Sequence, residues 1–90
     1  MRYITSSKQF KKDLKLAIKR GLDISLLDDV VEKLANDIAL PVKNKDHELS
    51  GKYRGFRECH IQPDWLLIYR IEDDNLMLFL SRTGSHSNLF

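Results

Sequence analysis

Ninety residues make one domain of about 10.5 kDa. With 42% hydrophobic and 31% charged residues, the composition is that of an ordinary globule and argues against a disordered chain. Apolar runs such as Trp65–Tyr69 fall far short of the roughly 20 residues that span a bilayer, so no membrane segment is expected, and the single Cys59 excludes a disulfide framework or a multi-cysteine zinc site.

The net charge of +2 conceals an asymmetry. Residues 1–45 hold ten Lys/Arg against six Asp/Glu, whereas residues 46–90 hold five against seven, together with all three histidines. The most basic stretch carries Lys8, Lys11, Lys12, Lys15, Lys19 and Arg20 against Asp13 alone. Such a stripe suits phosphates or an acidic protein partner, and equally an ordinary solvated helix face.

Arg2–Thr5 reads as a short strand. Ser6 or Ser7 offers an N-cap, and Phe10, Leu14, Ala17 and Ile18 recur on one face of a 3.6-residue repeat. Gly21 stops this first helix. A second begins near Asp23 or Ser25, buries Leu27, Val30, Val31, Leu34 and Ile38, and ends by about Ala39 ahead of Pro41. The short gap between them implies a helical hairpin. Residues 41–51 read as irregular. Tyr53–Ile61 reads as a strand with a twist or bulge at Gly55, and Gln62–Asp64 as a turn. Trp65–Ile71 is apolar nearly throughout and reads as a central strand buried on both faces. Glu72–Asn75 is a second turn, Leu76–Arg82 a further strand, and residues 83–90 a short tail. The order is β-α-α-β-β-β. This α+β fold has an antiparallel meander with the helical hairpin on one face and the other face open, in a single domain, 1–90.

His47 lies in the loop before the second strand, His60 at that strand's end, and His86 in the tail. The helical His-x3-His spacing of a metal site is absent, so no metal or cofactor is expected. Imidazoles titrate near neutrality and suit acid–base work, and Asp64 flanks the same turn as His60. Ser81, Ser85 and Ser87 lack the Gly-x-Ser-x-Gly elbow of a serine nucleophile. Lys52, Arg54, Arg57 and Arg82 are interleaved with Tyr53, Phe56, Trp65 and Phe90. Basic groups beside rings suit single-stranded nucleic acid, although Trp65 fits the core and the arginines could simply pair with acids. Cys59 reads as a small buried hydrophobe.

Three stretches together carry a resemblance. They are Lys45-Asp46-His47-Glu48-Leu49-Ser50-Gly51-Lys52, then Phe56-Arg57-Glu58-Cys59-His60-Ile61-Gln62-Pro63-Asp64-Trp65, and Arg82-Thr83-Gly84-Ser85-His86-Ser87-Asn88-Leu89-Phe90. In this order the chain resembles the YafQ branch of the RelE-like toxins of bacterial type II toxin–antitoxin systems, over essentially its whole length. The resemblance implies a ribosome-dependent endoribonuclease that cuts mRNA in the A site without a metal or other cofactor. It places catalysis on His47, His60, Asp64 and His86, with Arg82 near the scissile phosphate and Phe90 orienting a base. Lys52 and Arg57 would add phosphate contacts. Glu58 stands where the best-known member has Asp. The lysines at 8, 11, 12, 15 and 19 would meet the ribosome or an acidic, partly disordered antitoxin. The toxin would be a cytoplasmic monomer when free and heteromeric with its antitoxin. Two alternatives remain at this point: a toxin of the same fold that inhibits a non-ribosomal target such as DNA gyrase, and a non-catalytic RNA-binding module.

Overall fold

The computed structural model describes all residues, 1–90. Five strands form one sheet in the order β1-β5-β4-β3-β2, with β1 at Tyr3–Ser6, β2 at His47–Glu48, β3 at Arg57–Gln62, β4 at Trp65–Glu72 and β5 at Met77–Gly84. Strands β2 to β5 are antiparallel, as expected of a meander with tight turns. β1 instead lies parallel to β5, with Tyr3 opposite Met77 and Ser6 opposite Leu80.

Helix α1 (Lys8–Lys19) is capped by Ser7, whose Oγ accepts from the Phe10 amide at 2.9 Å. It ends at Gly21, which takes φ +75°, a conformation that glycine adopts without a Cβ penalty. Helix α2 (Ile24–Ala35) is capped by Asp23. It stops four residues before the expected Ala39: Asp37 turns the chain at φ 56°, and the Ile38 amide folds back onto the Lys33 carbonyl. Ile38 therefore leaves the apolar stripe, and Ile18 on α1 likewise faces solvent, both more than half exposed.

β4 is the central strand, and its period of two explains its continuous apolar sequence. Trp65, Leu67 and Tyr69 pack under the hairpin with Phe10, Ala17, Leu27, Val30, Leu34, Leu78 and Leu80. Leu66 and Ile68 face the other way, into a smaller cluster with Tyr53 and Leu89. That second face is not open as expected. A 3-10 turn (Gly51–Tyr53) and a final helix α3 (His86–Leu89) fold over it. The expected strand from Tyr53 thus starts only at Arg57, with Gly55 in the preceding turn at φ 92°. The expected irregular stretch 41–51 contains a 3-10 turn (Val42–Asn44) and the two-residue β2.

Candidate active site

Cross-strand register puts His47 opposite Glu58, Glu58 opposite Ile68, His60 opposite Leu66, and Arg82 opposite Ile68. Directly opposed residues share a face. The two histidines, Glu58 and Arg82 therefore lie on the face away from the helical hairpin. α3 brings His86 to the same end: the rings of His60 and His86 are 6.1 Å apart between centroids.

Glu58 is the hinge of this arrangement. Its side chain is only 4% exposed, and one oxygen, Oε1, faces His60 Nε2 at 3.4 Å and His47 Nε2 at 3.7 Å. Each imidazole turns its other nitrogen to a backbone carbonyl. His60 Nδ1 meets Pro63 O at 3.2 Å, and His47 Nδ1 meets Lys45 O at 2.6 Å. A carbonyl only accepts, so a hydrogen bond there needs the hydrogen on Nδ1, and Nε2 is the nitrogen each ring turns toward the Glu58 carboxylate.

His60 is thus oriented by Glu58 and Pro63, and not by Asp64 as its place in the sequence suggests. Asp64 serves His86: its Oδ1 accepts from the His86 amide at 3.1 Å and lies 3.8 Å from His86 Nδ1. Phe90 is exposed, its ring 5.7 Å from His86 and edge-on to Tyr53 at 5.3 Å. Tyr53 is buried and fixes the end of α3 by donating to the Leu89 carbonyl at 3.0 Å.

Arg82 is gripped by Asp13 of α1, with Nε to Oδ2 at 2.7 Å and Nη2 to Oδ1 at 3.2 Å. This pairing, more than any other contact, holds its pKa above the usual arginine value. Lys52 lies over the Tyr53 ring, 5.2 Å from the centroid. Arg57 is not brought to the cluster. It is opposite Tyr69 on the hairpin side and pairs with Asp46 at 3.3 Å and Glu48 at 3.7 Å. Trp65 is likewise core, its indole N–H donating to Thr83 Oγ1 at 2.9 Å. Lys8, Lys11, Lys12, Lys15 and Lys19 are exposed on α1, and none forms an ion pair.

Several supports were not legible as such in the sequence. Asn44 is buried and donates to the His60 carbonyl at 2.7 Å. Asp46, next to His47, accepts from the buried Tyr69 hydroxyl at 2.5 Å. Burial, followed by this bond to a carboxylate, pushes the Tyr69 pKa well up. Glu58 had one usable signal, its i, i+2 spacing to His60 on a strand. No three of the His, Cys, Asp and Glu side chains converge closely enough to hold a metal ion. The geometry supplies two nitrogens flanking one buried carboxylate, a third imidazole about 6 Å away, a fixed guanidinium and an exposed ring.

Comparison with known proteins gives this geometry relatives. The family model described as the bacterial toxin of type II toxin–antitoxin systems, YafQ, matches residues 2–90. The chain is 43% identical over 90 residues to the mRNA interferase toxin YafQ of Escherichia coli K12, covering 99% of this chain and 96% of that one. Its fold matches a metal-bound toxin from Helicobacter pylori at a TM-score of 0.93 and 51% identity, each chain covered in full. It also matches a chain of the E. coli DinJ-YafQ toxin-antitoxin complex at 0.89 and 43% identity, covering 99% of this chain and 97% of that one. With the match running from the second residue to the last, the chain belongs to the YafQ family of bacterial type II toxin–antitoxin toxins.

Proposed function

We propose that this toxin is an endoribonuclease that cuts mRNA in the ribosomal A site, and that a cognate antitoxin neutralises it. The observation that carries this reading is the convergence of His47, His60 and His86 on one sheet face, with Glu58 buried between the first two. The name of the E. coli relative, mRNA interferase, supports the activity, and the DinJ-YafQ complex supports an antitoxin partner.

The chemistry follows from the placement of the rings. One of the two imidazoles on Glu58, His60 or His47, takes the proton of a ribose 2′-hydroxyl through Nε2. The 2′-oxygen attacks the neighbouring phosphorus in line, and the bond from phosphorus to the 5′-oxygen breaks. His86, steadied by Asp64, protonates that departing oxygen. The products are a 2′,3′-cyclic phosphate and a 5′-hydroxyl. Positioned proton donors and acceptors of this kind contribute about 10²–10⁴-fold each. Arg82 stabilises the additional negative charge on the pentacoordinate phosphorus, a role in which fixed orientation matters as much as charge. Phe90, exposed beside His86, offers a ring on which a splayed base stacks. The unpaired lysines of α1 give a sequence-independent hold on ribosomal RNA phosphates or on an acidic antitoxin segment.

The test maps mRNA 5′ ends after incubation with programmed ribosomes, using the unaltered chain and His86→Ala. Cleavage should disappear in the variant. It should also disappear when the 2′-hydroxyl at the cut position is replaced by methoxy. Equal cutting of the methoxy RNA would refute the 2′-hydroxyl mechanism. Full activity of His86→Ala would remove His86 from the chemistry.

A further inference from the structure

We infer that Asp13 is a positioning residue that aims Arg82 at the reacting phosphate. The inference rests on the nuclease reading and adds to it a residue on the far side of the sheet edge. Asp13 is the only acid in the most basic stretch of the chain, flanked by Lys8, Lys11, Lys12, Lys15, Lys19 and Arg20. An ordinary solvated position there would leave it exposed, yet its side chain is only 9% exposed.

The topology accounts for this burial. β1 pairs with β5 only as far as Leu80, so the outer edge of β5 beyond that point has no strand beside it. The start of α1 takes the strand's place. Ser7 Oγ donates to the Ser81 carbonyl at 2.7 Å, and the Thr83 amide donates to Asp13 Oδ2 at 3.2 Å. Both Asp13 oxygens then also grip Arg82, through Nε and Nη2, and Gln9 donates to Oδ1 at 3.1 Å. A planar fork held at two nitrogens has a fixed plane. This carboxylate leaves both N–H groups of Nη1 and the second N–H of Nη2 unclaimed, so that edge of the guanidinium is the one offered to a phosphate. Without Asp13 the arginine would keep its charge and lose its direction, and a misplacement of about 1 Å is enough to cost roughly 100-fold in rate.

The alternative is that Asp13 serves only the sheet edge, through the Thr83 amide. A double-mutant cycle separates the two. Single-turnover cleavage on programmed ribosomes is measured for Asp13→Ala, Arg82→Ala and the pair, with KM read alongside. Asp13→Ala should lower kcat at least tenfold with KM changed less than threefold. In the Arg82→Ala background it should cost less than twofold. Should Asp13→Ala fold poorly, Asp13→Asn keeps an oxygen for the Thr83 amide and loses only the charged fork. It should still lower kcat severalfold while melting within a few degrees of the unaltered protein. An equal loss with and without Arg82, an unchanged kcat, or faster cleavage would overturn the inference. Normal cleavage by Arg82→Ala would overturn it too, while leaving the nuclease reading to the separate test on His86.

Discussion

The Tyr69 hydroxyl is buried and donates to Asp46 Oδ1 at 2.5 Å, just before His47 at the start of β2. Replacing Tyr69 by Phe keeps the ring and removes only this bond. Hydrogen bonds to a charged group contribute about 1.5–3 kcal/mol. Asp46 retains Arg57 at 3.3 Å and its side chain is 27% exposed, so water can partly replace the hydroxyl, and the expected loss is about 1.5 kcal/mol. For a domain of this size that corresponds to a fall in Tm of roughly 6–12 °C. The pH dependence follows from the raised pKa. Above pH ~10, an unfolded tyrosine releases its proton while the folded one keeps it. The native state then binds more protons than the unfolded state, and stability falls as pH rises, by up to ~1.4 kcal/mol per unit. Tyr69→Phe lacks this term. The gap between the two proteins should hold from pH 7 to 9 and close near pH 11. Urea titrations followed by circular dichroism at fixed pH values measure it. A gap below about 0.5 kcal/mol at pH 7, or one that stays constant up to pH 11, would refute the reasoning.

Burial, with neighbouring Asp46 and Glu58 adding to it, pushes the Cys59 thiol up to about 12. At pH 8 the native protein should resist a thiol-specific disulfide reagent for as long as it remains folded, and should react at once in denaturant. Prompt labelling of native protein would contradict the packing described. Reversing Lys11, Lys12 and Lys15 to Glu should weaken ribosome pelleting at least tenfold at low salt and flatten its salt dependence, with Tm changed by only a few degrees. Unchanged pelleting would mean that the toxin is held elsewhere.

The elements that alternate or recur cleanly were legible in the sequence. Trp65–Tyr69 reads as a central strand and lies at the centre, and both helix caps fall where the serine and aspartate suggest. Periodicity misjudged Ile18 and Ile38, because it marks a face and not the extent of what covers that face. The stretch 41–56 was illegible for a different reason. Its order comes from bonds to distant residues, Asn44 to the His60 carbonyl and Asp46 to the Tyr69 hydroxyl, which no local pattern encodes. The same holds for the site. Histidines on three segments were visible as candidates, but the carboxylate that joins two of them follows from strand register alone. Asp13 gave no hint beyond its sign, since its role depends on β1 stopping short of β5's end.

The parallel pairing of β1 with β5 also governs the order in which this sheet can be completed. β1 has its sole neighbour in the sheet in a strand that begins at Met77. The antiparallel pairs β3–β4 and β4–β5 close over short turns, while loop closure across seventy-odd residues between β1 and β5 is the slow contact to make and waits for β5. Arg82 and His86 arrive with or after that strand. The candidate site is therefore complete only once the long-range pairing that closes the sheet has formed.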